Sequence, residues 1–143
     1  MAIAKVLLVD DEVPFVETMT KRLMKRDLEV YPAFNGSEAL EKLENERSIE
    51  VVILDVKMPG MDGIETLREI KKRFPLVEVV MLTGHATVET AIEGMKLGAY
   101  DYLMKPCDMD ILMTKVGEAG ARKRKQETKI IEARLKEITS RRA

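Results

Sequence analysis

The sequence contains no tryptophan, a single cysteine and a single histidine among 143 residues, and aromatic side chains make up 4% of it. One cysteine, Cys107, excludes a disulfide within the chain and fits a reducing compartment. The uninterrupted apolar stretches are too short to span a membrane, and the N-terminus lacks a basic region followed by an apolar one. We therefore expect a cytoplasmic protein without membrane contact.

The length suits one domain with a hydrophobic core and is too short for two. Residues 1–120 carry 15 Lys/Arg and 22 Asp/Glu, a net charge of −7, whereas residues 121–143 carry 9 and 3, a net charge of +6. Arguments about binding must therefore treat an acidic body and a basic tail separately. We expect one domain over residues 1–120 and a helical extension over residues 121–143.

Short apolar runs alternate along the chain with longer amphipathic segments. The strand-like runs are Val6–Asp10, Leu28–Tyr31, Val51–Asp55, Val77–Leu82 and Tyr100–Met104. The helix-like segments are Pro14–Arg26, Ser37–Arg47, Ile64–Phe74, Thr87–Leu97 and the chain from Asp108 onward. We expect Pro14 in a first helical turn, a capped helix at Ser37 and a helix stop at Gly98. This alternation, repeated five times, predicts an α/β fold with a parallel sheet covered by helices on both faces.

Two of the apolar runs end in carboxylates. The first leads into Asp10 and Asp11, and the third leads into Asp55. Because ligands bind at the carboxyl ends of strands in such sheets, the three acids are expected at one site. Like charges in one cleft repel and raise one another's pKa values, so a cation is the expected compensation. Oxygen ligands favour Mg²⁺ or Ca²⁺ over zinc.

A hydroxyl and a cation follow two further strand-like runs, at Thr83 and Lys105. These groups permit phosphoryl transfer to a carboxylate, which depends on positioning and charge neutralisation. Asp55 stands alone and is the better nucleophile, whereas Asp10 and Asp11 form a natural metal pair. The alternative for each acid is a helix N-cap, where aspartate is common.

The chain resembles the receiver domains of response regulators in two-component signalling over nearly all of residues 3–120. The resemblance rests on four segments: Val9–Glu12, Asp55–Gly63, Thr83–Ala86 and Gly98–Pro106. It implies a flavodoxin-like sheet of strand order 2-1-3-4-5.

The resemblance also assigns roles to single residues. Asp55 would be the phosphoacceptor, and Mg²⁺ would be held by Asp10, Asp11, Asp55 and the backbone carbonyl of Lys57. The switch residues would be Thr83, Lys105 and Tyr102. The cleft mouth would hold Lys57 and His85, which we expect to tune the lifetime of the phosphoryl group by restricting water. The alternatives are a capping hydroxyl at Thr83, a strand aromatic at Tyr102 and a surface loop residue at His85.

The partners implied are a sensor histidine kinase or phosphotransfer protein and a downstream target. Phosphorylation would change the face made by the fourth helix, fifth strand and fifth helix, through which a homodimer could also form. The output stays open between a stand-alone receiver and the receiver fragment of a larger transcriptional regulator with a fused output domain. We expect no enzyme activity beyond self-catalysed phosphorylation and dephosphorylation.

Two rival functions fit the sequence less well. An aspartyl-phosphate phosphohydrolase needs a general acid near its nucleophile, but Lys57 lies two residues after Asp55. A nucleotide or flavin module needs a Gly-rich or hydroxyl-rich loop after the first strand, where this chain carries acids. For the basic tail we expect a solvated helix first, a docking or dimerising helix second and nucleic-acid contact last, because the tail has no aromatics to stack on bases.

Overall fold

Five strands and five helices alternate in a computed structural model that describes residues 4–141. The strands are β1 (Ala4–Val9), β2 (Leu28–Ala33), β3 (Val51–Leu54), β4 (Glu78–Thr83) and β5 (Asp101–Met104). The helices are α1 (Val13–Met24), α2 (Gly36–Asn45), α3 (Gly63–Arg73), α4 (Val88–Lys96) and α5 (Met109–Arg141). All neighbouring strands run parallel in the order β2-β1-β3-β4-β5. The predicted fold class is confirmed.

The sheet separates two apolar cores, because alternate residues of each strand point to opposite faces. One core packs Leu7, Val52 and Val79 against α2 and α3. The other packs Leu8, Ile53 and Val80 against α1 and α5. The middle of each central strand is therefore apolar on both faces, and the polar residues at the strand ends emerge together at the sheet edge.

Helix ends were predicted with mixed success. Pro14 lies in the first turn of α1 as expected. Gly98 follows α4 with a φ of 103°, a left-handed conformation that glycine adopts without steric cost. The prediction for α2 was wrong: its N-cap is Asn35, whose side chain accepts the Glu38 N–H at 2.9 Å, and the helix already includes Ser37. Asparagine caps helices as well as serine does, so the cap alone does not fix the boundary.

The fifth helix continues through residue 120 without a break and ends at Arg141. A helix of this length extends about 50 Å. Two ion pairs attach its middle to the sheet: Arg122 contacts Glu78 at 3.0 Å, and Arg124 contacts Glu50 at 2.8 Å. Residues 128–141 are exposed, and residues 142 and 143 of the predicted extension lie outside the described chain. Between residues 4 and 141, no helix has the length and apolar character needed to cross a membrane.

Candidate metal centre

Strand register brings the first acid and the lone acid together. Val9 on β1 pairs with Leu54 on β3, so the next residues, Asp10 and Asp55, emerge side by side. The Asp55 N–H donates to the Val9 carbonyl at 3.0 Å and fixes this arrangement. The two carboxylates therefore directly follow two adjacent strands, β1 and β3, in the middle of the sheet.

Carboxylate oxygens of Asp10, Asp11 and Asp55 all lie within 4.8 Å of one another. The side chains of Asp10 and Asp55 are almost fully buried, whereas Asp11 is exposed. Three oxygen donors at this separation, without a nitrogen or sulfur ligand, suit Mg²⁺, which binds one or more carboxylates and keeps several waters. The exposed third acid leaves one side of the cluster open to such waters, so the residues present fit the ion.

The ammonium of Lys105 compensates part of the negative charge. Its Nζ lies 2.5 Å from Asp10 Oδ2 and 3.8 Å from Asp55 Oδ2. Glu12 Oε1 is 3.5 Å away, and the ring centroid of Phe15 is 4.0 Å away. Burial acts to lower the pKa of Lys105, but the hydrogen bond to Asp10 and the charges of Asp55 and Glu12 outweigh it and raise that pKa. The lysine is therefore a fixed positive charge at neutral pH.

Asp55 has a raised pKa, chiefly because burial disfavours its charged form. The charge of Asp10 raises it further, while the Thr83 hydroxyl, Lys105 and the Val56 N–H oppose the shift. The Val56 N–H donates to Asp55 Oδ1 at 2.8 Å and fixes the carboxylate orientation. A poorly solvated and oriented carboxylate is a better nucleophile than one surrounded by water.

Thr83 ends β4 at the same edge and is fully buried. Its hydroxyl oxygen accepts the His85 N–H at 3.0 Å, so the hydroxyl proton stays available for another acceptor. A cleft of about 440 Å³ opens beside Asp55 and His85. Its lining residues are Asp11, Glu12, Asp55, Lys57, Met58, Pro59 and His85.

Tyr102 lies on β5 and connects the sheet to α4. Its hydroxyl is 2.8 Å from Thr90 Oγ1, and its ring edge lies 3.6 Å from the position that a Cβ would occupy at Gly94. The side chain is half-buried and packs against the core of α2 and α3. The residue is thus placed between the site edge and the surface of α4.

Three residues of this site were given no role from the sequence. Gly63 lets the loop after β3 close over the site, because a Cβ there would lie 2.0 Å from the Asp55 carbonyl oxygen. Glu12 donates its N–H to Asp10 Oδ1 at 3.0 Å, and Phe15 covers Lys105. The glycine directly after the helix-capping Asp62 could have indicated that the backbone passes close to another segment there. No feature of the sequence indicated a role for Phe15.

Comparison with known proteins identifies the family. Residues 6–117 match the model of the family described as "Response regulator receiver domain". The chain belongs to this family. It is similar to the receiver domain protein of Clostridium thermocellum, with 39% identity, a TM-score of 0.81, and coverage of 85% of this chain and 97% of that one. It is also similar to NtrX from Brucella abortus, with 34% identity, a TM-score of 0.80, and coverage of 94% of this chain and 30% of that one.

The curated relatives are longer proteins. The transcriptional regulatory protein ZraR of Klebsiella oxytoca is 40% identical over 127 residues, which are 89% of this chain and 28% of that protein. An NtrX-like response regulator of Rickettsia conorii is 39% identical, over 83% of this chain and 26% of that protein. The chain thus spans about a quarter of the length of these curated relatives.

Proposed function

We propose that this receiver accepts a phosphoryl group on Asp55 in a Mg²⁺-dependent reaction and thereby changes a surface that controls a partner. The observation that carries the proposal is the convergence of three carboxylates within 4.8 Å, next to a lysine and a buried threonine hydroxyl. Asp10, Asp11 and Asp55 would hold the ion, with the backbone carbonyl of Lys57 as a further ligand. Bound Mg²⁺ supplies positive charge that neutralises phosphoryl oxygens.

In the transfer, a carboxylate oxygen of Asp55 forms a bond to phosphorus while the bond from phosphorus to the donor breaks. The donor is a phosphohistidine of a sensor histidine kinase or phosphotransfer protein, or a small acyl phosphate. Lys105 neutralises developing charge on the phosphoryl oxygens because its ammonium already lies 3.8 Å from Asp55. The Thr83 hydroxyl donates a hydrogen bond to one of these oxygens. The product is an acyl phosphate on this chain itself.

The signal would then reach the surface of α4, β5 and α5. The phosphoryl group adds about −1.5 to −2 charge units and strong acceptor oxygens beside Thr83 and Lys105. Movement of Thr83 toward them changes the space next to Tyr102, which is hydrogen-bonded to Thr90 on α4. That face exposes large apolar side chains, which support its use as a protein contact. They are Val88, Ile92, Met95, Met104 and Ile111.

The partner of that face is proposed in two forms. It is either a separate protein or an output domain fused in a longer chain, and the lengths of the ZraR and NtrX relatives are consistent with the fused form. In both forms the receiver is a signalling module, and self-catalysed phosphorylation and dephosphorylation are its only chemistry.

Labelling by acetyl phosphate tests the phosphoacceptor. With Mg²⁺ we expect the intact mass of the wild type to rise by one phosphoryl group, and we expect no increase for Asp55→Asn or with EDTA present. Asp62→Asn is the matched control, because Asp62 lies in the same loop but its side chain caps α3. Equal labelling of wild type and Asp55→Asn would refute the assignment.

The lifetime of the label tests the proposed roles of Lys57 and His85. Both residues line the cleft beside Asp55, so their side chains restrict the approach of a hydrolytic water. After removal of donor, we expect the label to decay several-fold faster in Lys57→Ala and in His85→Ala than in the wild type. Unchanged lifetimes in both variants would exclude this role.

A further inference from the structure

The aromatic ring of Phe15 lies against the ammonium of Lys105, on the side of the site formed by α1. The distance from Nζ to the ring centroid is 4.0 Å, whereas the three other cation–ring approaches found among residues 4–141 range from 5.1 to 6.0 Å. Phe15 lies in the first turn of α1, directly after Pro14, and packs against the core of α1 and α5. The helix and the core therefore hold the ring in place independently of the lysine.

The ring of Phe15 covers one side of the Lys105 ammonium, which several carboxylates attract from other sides. Asp10 lies closest, Glu12 and Asp55 lie farther away, and the Lys105 side chain is 14% exposed. A ring face attracts a cation through its quadrupole, and this attraction strengthens where water is excluded. It restricts the position of Nζ without fixing which carboxylate receives each N–H. Such a contact lets the ammonium turn from Asp10 toward a new anion on Asp55 without leaving the cleft.

We propose that Phe15 is a positioning residue, which holds the Lys105 ammonium beside Asp55 so that its charge is in place when phosphoryl transfer occurs. The proposal rests on the phosphoryl transfer proposed above. Leucine at this position would keep most of the apolar volume and remove the ring quadrupole, so the ammonium would be more mobile and better solvated. Tyrosine would keep the quadrupole.

Two measurements on Phe15→Leu and Phe15→Tyr test this role. The first is the rate constant for Asp55 labelling by acetyl phosphate with Mg²⁺. The second is the proton chemical shift of the Lys105 ε-methylene group, which a ring face moves upfield. The matched control is Phe34→Leu, the same substitution at another half-buried phenylalanine on the same core.

We expect Phe15→Leu to label about three- to tenfold more slowly than the wild type and to lose the upfield shift of Lys105. Phe15→Tyr and Phe34→Leu should label within about twofold of the wild type and keep the shift. Wild-type labelling by Phe15→Leu, equal slowing in Phe34→Leu, or an unchanged Lys105 shift would each overturn the positioning role. A wild type that takes no label would instead overturn the proposed function on which this role depends.

Discussion

At the scale of single residues, Asp55 is a buried carboxylate whose place in the fold reduces stability. Its raised pKa means that the native state binds the Asp55 proton more tightly than the unfolded chain does. Stability therefore falls as pH rises from the ordinary pKa of 3.8 through the raised native value, and the full loss is present above that raised value. Such a cost is expected where charge is gathered for chemistry and not for packing.

The corresponding prediction concerns Asp55→Asn in EDTA. Removing the buried charge should raise the free energy of unfolding at neutral pH by about 1 kcal/mol, the usual size of a stabilising substitution. The gain should shrink as the pH approaches the ordinary aspartate value. Urea unfolding of both proteins across this pH range measures the difference. Asp62→Asn, an exchange between two good N-cap residues, should change stability little at any of these pH values. A variant less stable than the wild type at neutral pH would contradict the prediction.

At the scale of elements, the attachment of α5 depends on a buried carboxylate at the start of β4. Glu78 is 4% exposed and lies between Lys71 Nζ at 3.3 Å and Arg122 Nε at 3.0 Å. A second contact lies nearby, where Arg124 Nη1 donates to both carboxylate oxygens of Glu50. The two pairs hold α5 against the ends of β3 and β4 opposite the acidic cluster.

Removing the charge of Glu78 should loosen this attachment. We expect Glu78→Gln to lower the free energy of unfolding by about 1–3 kcal/mol, because Arg122 loses its carboxylate partner and Lys71 keeps only the carbonyls of Pro75 and Val77. Amide exchange in the α5 turns around Arg122 should become faster, while exchange near Met109 changes little. Glu93→Gln is the control: its pair with Arg68 is exposed and long at 3.6 Å, so a loss below about 0.5 kcal/mol is expected. Equal losses in the two variants would argue against the attachment.

Helix α4 contrasts with α5 in how it is held. Gly94 is its one buried residue, and Val88, Ile92 and Met95 are exposed. Few buried apolar contacts are typical of elements that can shift at low cost. The hydrogen bond between Tyr102 and Thr90 is therefore well placed to set the position of this helix.

At the scale of the whole molecule, part of the positive charge of the tail is neutralised by ion pairs within the chain. Three of the four consecutive basic residues of α5 contact carboxylates of the same chain: Arg122 with Glu78, Lys123 with Glu127 and Arg124 with Glu50. These cations are less available to an external polyanion than their sequence suggests. These ion pairs support the prediction that nucleic acid is the least favoured contact of the tail. No observation tests it, so it stays a prediction.

The sequence by itself determined the α/β alternation and the edge at which the polar groups meet. Period and apolar length decide which segments become buried parallel strands, and every such strand delivers its next residue to the same edge. The acids at Asp10, Asp11 and Asp55 were accessible to prediction for this reason. Strand order itself came from family resemblance, because alternation alone allows several orders.

Tertiary structure alone decided which distant side chains touch. Phe15 and Lys105 are ninety residues apart in the sequence, and Asp10 and Lys105 are 95 residues apart. Their contacts form only where the start of α1 and the segments that follow β1 and β5 meet at one edge of the sheet. The ion pairs of Glu78 with Lys71 and Arg122 likewise join three separate segments. In the sequence alone, each of these charged residues would be expected to face solvent. Local pattern fixes burial and direction, but the distances that set a pKa or hold an ammonium arise only when separate elements pack together.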